Sequence, residues 1–128
     1  MKNDLEERTR RFAAKIITFV RTLPKDRVGD VITFQLLKAG TAVGANYREA
    51  ARAESRRDFI HKIAIVEKES SESEFWLQVC DDSDLGDEEL LLWLLDEAGQ
   101  LLRIFSSSGR TAKAGQKELR RLKRSAKP

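Results

Sequence analysis

The most concentrated chemical potential in this sequence is a run of four glutamates, Glu67, Glu69, Glu72 and Glu74. Carboxylates crowded on one helix invite comparison with di-iron bundles, which place a Glu-x-x-His motif on each of two helices and single glutamates on the other two. The chain has one histidine, His61, with aspartate rather than glutamate three residues before it, so that motif is absent. No metal site is expected, and the acidic run reads as a solvated or intersubunit face. Cys80 is the single cysteine, which excludes an internal disulfide and a cysteine-based zinc site. It falls on an apolar stripe and reads as a small buried hydrophobe. Ser70, Ser71 and Ser73 have only the distant His61 as a base. No catalytic residue and no cofactor are predicted: the expectation is a protein that is not an enzyme.

Gly40-Thr41-Ala42-Val43-Gly44 fails as a phosphate-binding loop, which needs four residues between its glycines followed by Lys-Ser/Thr. Inside a helix the two glycines cost about 2 kcal/mol relative to alanine, and close approach of a second helix across a small-residue face would offset this. Ser70 and Ser73 are the expected partners across that approach. Asn46, placed on the same helix's apolar stripe, would need buried hydrogen-bond partners and would fix register or association state. Glu49 and Arg52 are spaced to pair along the helix surface.

Basic residues supply the remaining signal. The net charge of +3 hides three blocks. Residues 1–57 carry 13 basic against 7 acidic side chains, residues 58–109 carry 3 against 13, and residues 110–128 carry 8 against 1. A chain segregated in this way tends to associate with itself or with a polyanion. Arg110, Lys113, Lys117, Arg120, Arg121, Lys123, Arg124 and Lys127 form the last block, and Arg48, Arg52, Arg56 and Arg57 extend a basic surface near the middle of the chain. Such density attracts phosphates without reading sequence. Aromatic side chains that would stack on exposed bases are absent from the last block.

Four segments must position these residues, and each shows helical periodicity. The first runs from about Asp4 to Thr22 with Leu5, Phe12, Ile16, Phe19 and Leu23 on one stripe; Asn3 and Glu6 suggest a capping pair, and Pro24 a stop. The second spans about Asp26 to Ala53, with Val28, Ile32, Leu36, Ala39, Val43, Asn46, Ala50 and Ala53 facing one way. A third opens on the capping box Ser55–Asp58 and continues through Phe59, Ile63, Val66, Ser70, Ser73, Leu77 and Cys80. The fourth opens at Asp87-Glu88-Glu89, where the helix dipole favours acids, and runs through Leu91, Leu94, Leu95, Ala98, Leu102 and Phe105. Short connections predict an all-α, antiparallel up-down-up-down four-helix bundle over residues 1–109. Residues 110–128 read as a basic extension, flexible or partly helical around Glu118–Arg124. The longest apolar run, Leu90–Leu95, is far shorter than a membrane span, and the N-terminus lacks the apolar core of a signal peptide. A cytoplasmic protein with no membrane partner is expected.

Leu37-Lys38-Ala39-Gly40-Thr41-Ala42-Val43-Gly44-Ala45-Asn46-Tyr47-Arg48-Glu49-Ala50 resembles a signature of the four-helix-bundle proteins encoded in intervening sequences of 23S ribosomal RNA genes. The run from Asp58 to Leu77 resembles that family's third-helix pattern. Together the likeness covers roughly residues 5–109. It implies a left-handed bundle that assembles into a homopentamer, and kinship with accessory variability proteins of diversity-generating retroelements, which associate with a reverse transcriptase and with nucleic acid. Arg48, Glu49, Lys68 and Glu69 match charged motif positions and, with Gly40, Gly44 and Asn46, are expected at helix or subunit contacts. The basic extension is not part of the pattern. The function expected is an oligomeric bundle that binds RNA or DNA through phosphate contacts, or alternatively an adaptor ring that docks a partner enzyme.

Overall fold

A computed structural model describes residues 4–126. Among them are four helices and no strand: α1 (Asp4–Val20), α2 (Arg27–Ala51), α3 (Arg56–Asp82) and α4 (Glu88–Ser125). The expected Asn3 cap lies outside the described residues. Each of the other three helices begins as capping chemistry dictates. Asp26, Ser55 and Asp87 take extended backbone conformations and accept hydrogen bonds from the amides of Gly29, Asp58 and Leu90, satisfying donors that the first turn leaves orphaned.

Consecutive helices pack against one another, and α1 also meets α4. The contacts run antiparallel. Thr9 and Ile16 of α1 face Gly44 and Gly40 of α2, while Ile63 and Glu74 of α3 face Gly109 and Gly99 of α4. At one end, the Thr22 hydroxyl donates to Phe19 O and accepts from the Asp87 amide, joining the α1–α2 and α3–α4 connections. Gly86 stands there with φ 83°, in the left-handed region, and a Cβ would lie 2.6 Å from the Phe19 ring; glycine is required on both counts.

The core is continuous, built from Phe12, Ile16 and Phe19, Leu36 and Val43, Ile63, Val66 and Leu77, and Leu94, Leu101 and Phe105, all but inaccessible to solvent. On α3 the expected stripe is buried from Ile63 through Val66, Ser70, Ser73 and Leu77 to Cys80. Two stripes need correction. On α2 the core position is Tyr47, which meets Phe105 with ring centroids 5.4 Å apart. Asn46 is half-buried on the flank and donates to Ala42 O, and Val28 is 58% exposed. On α4 Leu101, not Leu102, fills the interior.

The extension also departs from expectation. Instead of breaking at Ser106–Gly109, α4 runs unbroken to Ser125. Gly109 and Ala112 are buried, the former beside Ile63, so packing on α3 carries the helix through the Ser-Gly stretch. Beyond it, Ala, Lys, Gln, Glu, Leu and Arg are strong helix formers.

Candidate nucleic-acid interface

The extension is long because α3 supports its first half. Arg56, the first residue of α3, lies over Gly115, where a Cβ would come 2.2 Å from Nη1. A pocket of about 350 Å³ beside this contact is lined by Arg56, Phe59, Ser107, Ser108, Thr111 and Ala112. From Lys117 to Ala126 every residue is exposed, so these ten positions project by about 15 Å at 1.5 Å per residue.

At 100° per residue, Arg110, Lys113, Lys117, Arg120, Arg121, Lys123 and Arg124 fall within one arc of about 160°. All seven are exposed; Glu118 pairs with Arg121 at 2.6 Å. Lys127 lies outside the described residues. Arg56 and the exposed Arg57 stand at the start of α3, and Arg56 lies over Gly115, on the side of α4 turned away from this arc. Arg52 is committed elsewhere: its guanidinium bonds Glu6 at 2.6 Å and Arg48 O at 3.0 Å. Arg48 lines a different groove, about 300 Å³ between α1 and α2, with Glu6, Thr9, Arg10, Thr41 and Gly44.

The positions expected at helix contacts divide. Gly40 and Gly44 do permit close approach, but by α1. A Cβ on Gly40 would lie 2.8 Å from Ile16 Cγ1, and one on Gly44 3.2 Å from the Thr9 backbone. Ser70 and Ser73 instead bond back to Val66 O and Glu69 O within α3. Glu49 does not pair with Arg52 through its side chain; it pairs with Lys62 of α3 at 3.3 Å. Lys68 is exposed, whereas Glu69 has one buried carboxylate oxygen that accepts no hydrogen bond. Burial, then the charge of Glu72, push the Glu69 carboxyl above the usual carboxylate range, against the opposing pull of Lys68 and Lys38.

Sequence reasoning missed the ties holding α1 to α4. Arg8 grips Glu97 through Nε at 3.1 Å and Nη2 at 2.7 Å, and Lys15 lies 5.8 Å above the Trp93 ring. Partners so far apart in sequence give no local signal for either contact. Burial pushes the Cys80 thiol up to about 11, leaving little nucleophilic thiolate at neutral pH. No cluster of His, Cys, Asp and Glu suited to a metal occurs among the described residues, and none of their helices is long and apolar enough to cross a membrane.

The geometry defines a small all-helical bundle with one overlong, basic last helix. Residues 1–107 match the 23S rRNA-intervening sequence protein family, and the chain belongs to that family. A crystal structure of a protein with unknown function from the S23 ribosomal protein family of Bacteroides thetaiotaomicron shares 30% identity and a TM-score of 0.74, covering 82% of this chain and 97% of that one. No curated protein matches the chain. The family match ends before Arg110, so the basic block lies outside it.

Proposed function

We propose that this chain is a non-enzymatic, oligomeric cytoplasmic bundle that binds RNA or DNA through phosphate contacts made by its C-terminal helix. The observation carrying this reading is the gathering of seven exposed basic residues on one face of the long last helix. A rigid row of cations suits a regularly spaced phosphate backbone, and it has no aromatic side chains to stack on bases. Arg48 and Arg52 contribute less, because Arg52 is already neutralised by Glu6.

Association through the bundle sides is supported by exposed Val28, Val31 and Phe34 on α2 and Phe75 on α3, apolar surface of the kind that marks contact sites. A homopentamer is the assembly we infer from the family likeness. The same residues favour the adaptor reading, in which a ring docks a partner enzyme. Truncation after Gln116 separates the two, since it spares the buried Gly109 and Ala112 but leaves 18 basic against 20 acidic residues. In a gel-shift assay the truncated chain should lose RNA and duplex DNA binding that the full chain shows; no binding by the full chain at low salt would leave the adaptor reading.

A further inference from the structure

Ser106-Ser107-Ser108-Gly109 lies inside α4, although serine and glycine are weaker helix formers than alanine or leucine. Two of the four have a structural reason to be there. Gly109 packs beside Ile63, and the Ser106 hydroxyl donates to Glu67 of α3 at 2.8 Å. Ser107 and Ser108 have none. A helical serine or threonine can turn its hydroxyl back to the carbonyl four residues before, as Thr9, Thr41, Ser70 and Ser73 do here. The hydroxyls of Ser107, Ser108 and, one turn on, Thr111 form no hydrogen bond among the described residues.

All three line the cavity of about 350 Å³ that they share with Arg56, Phe59 and Ala112. Positions 107, 108, 111 and 112 stand three and four residues apart, so their side chains meet on one face of α4. Gly115 lies one turn beyond Thr111, and the Arg56 guanidinium rests in the space it leaves. Arg56 pairs with no carboxylate among the described residues, and no acidic side chain lines the cavity. The half-buried Phe59 and the buried Ala112 supply its apolar wall. A guanidinium suits an oxyanion in bidentate fashion. With three hydroxyls beside it, the donors outnumber the two oxygens of a carboxylate and suit the three of a phosphate monoester. The Phe59 ring suits a planar body such as a base, and the volume is that of a small-ligand pocket.

We propose that this cavity binds a nucleoside monophosphate group, with the phosphate on Arg56 and the hydroxyls and the base against Phe59. Ser108, Thr111 and Ala112 lie beyond residues 1–107, which the family model matches, so the site belongs to the long last helix rather than to the shared bundle. It faces away from the seven-residue basic arc and does not rest on phosphate contacts there. The group can come from a free nucleotide or from the phosphorylated end of a nucleic-acid strand.

Isothermal titration of the full chain with adenosine monophosphate tests this, beside adenosine and inorganic phosphate. The monophosphate should bind, and the other two should bind at least about tenfold more weakly. Arg56→Gln, at an exposed site, should weaken the monophosphate about tenfold. The pair Ser108→Ala and Thr111→Ala, which favours the helix, should weaken it by a similar factor. No binding of the monophosphate at millimolar concentration would overturn the proposal, as would undiminished binding by Arg56→Gln. Inorganic phosphate bound as tightly as the monophosphate would also overturn it, because the base would then make no contact with Phe59. A tetranucleotide with a terminal phosphate that binds more tightly than the monophosphate, and loses that gain in Arg56→Gln, assigns the site to a strand end. One that binds no more tightly assigns it to the free nucleotide. Arg120→Gln with Arg124→Gln should lower duplex affinity and spare the monophosphate, so failure of the basic-arc reading shows separately.

Discussion

The guanidinium of Arg56 occupies the space that a side chain on Gly115 would fill, with Nη1 2.2 Å from the position of the missing Cβ. This contact sets the start of α3 against the extension, beyond the last buried residue of α4, Ala112. It is the point at which a bundle helix becomes a projecting one.

Two glycine substitutions should move stability in opposite directions. At Gly115 the obstacle is the mobile end of an exposed arginine, so Gly115→Ala gains helix propensity of up to about 1 kcal/mol once Arg56 swings aside. At Gly44 the obstacle is the Thr9 backbone at 3.2 Å, so Gly44→Ala should gain nothing or destabilise. Gly44→Leu should cost about 1–3 kcal/mol through overpacking. Thermal melts check the signs; a stabilised Gly44→Leu would mean that α1 does not approach there.

Core and extension should respond differently to truncation of an apolar side chain. Phe105 is fully buried against Tyr47, and Phe105→Ala should cost about 3–5 kcal/mol. Leu119→Ala, at an exposed site, should stay within about 0.5 kcal/mol. Urea denaturation monitored by helicity gives both values at a concentration where the two variants share one association state.

The contrast between these residues also explains what could be read before the structure. The α3 stripe from Ile63 to Cys80 is legible because its members keep an unbroken alternation of three- and four-residue steps through Ser70 and Ser73. On α4, adjacent Leu101 and Leu102 carry no phase, and only packing shows that Leu101 points inward. On α2, one-sided periodicity puts Asn46 on the stripe because it cannot weigh an amphipathic Tyr47 against its neighbour. Ser106–Gly109 reads as a breaker that leaves the extension flexible or only partly helical, yet Gly109 is small enough to lie beside Ile63 and the helix continues. The basic residues were visible as a composition; their common face emerged only once the segment proved helical.

Glu69 makes stability pH-dependent in a defined sense. Its carboxyl is raised in the fold by burial and by Glu72, so between the ordinary carboxylate range and the raised value the folded chain holds more protons than the unfolded one. Its contribution to stability therefore declines as pH rises through that window, and the penalty persists above it. Glu69→Gln should raise the melting temperature at neutral pH, with the difference shrinking as pH falls below the ordinary carboxylate range. A Glu69→Gln variant less stable than the parent at pH 7 would show that Lys38 and Lys68 outweigh the burial.

Salt dependence of nucleic-acid affinity tests the central claim most directly. Fluorescence anisotropy with a labelled DNA duplex, repeated across salt concentrations, gives the slope of log affinity against log salt. Each phosphate contact contributes about −0.9, so a helix presenting one basic face should give a slope of about −3 to −5, with little difference between unrelated duplex sequences. The chain truncated after Gln116 should lose most of that affinity and most of the slope while its bundle remains helical. Equal affinity and equal slope for the two chains would contradict the account and move the phosphate contacts off the extension.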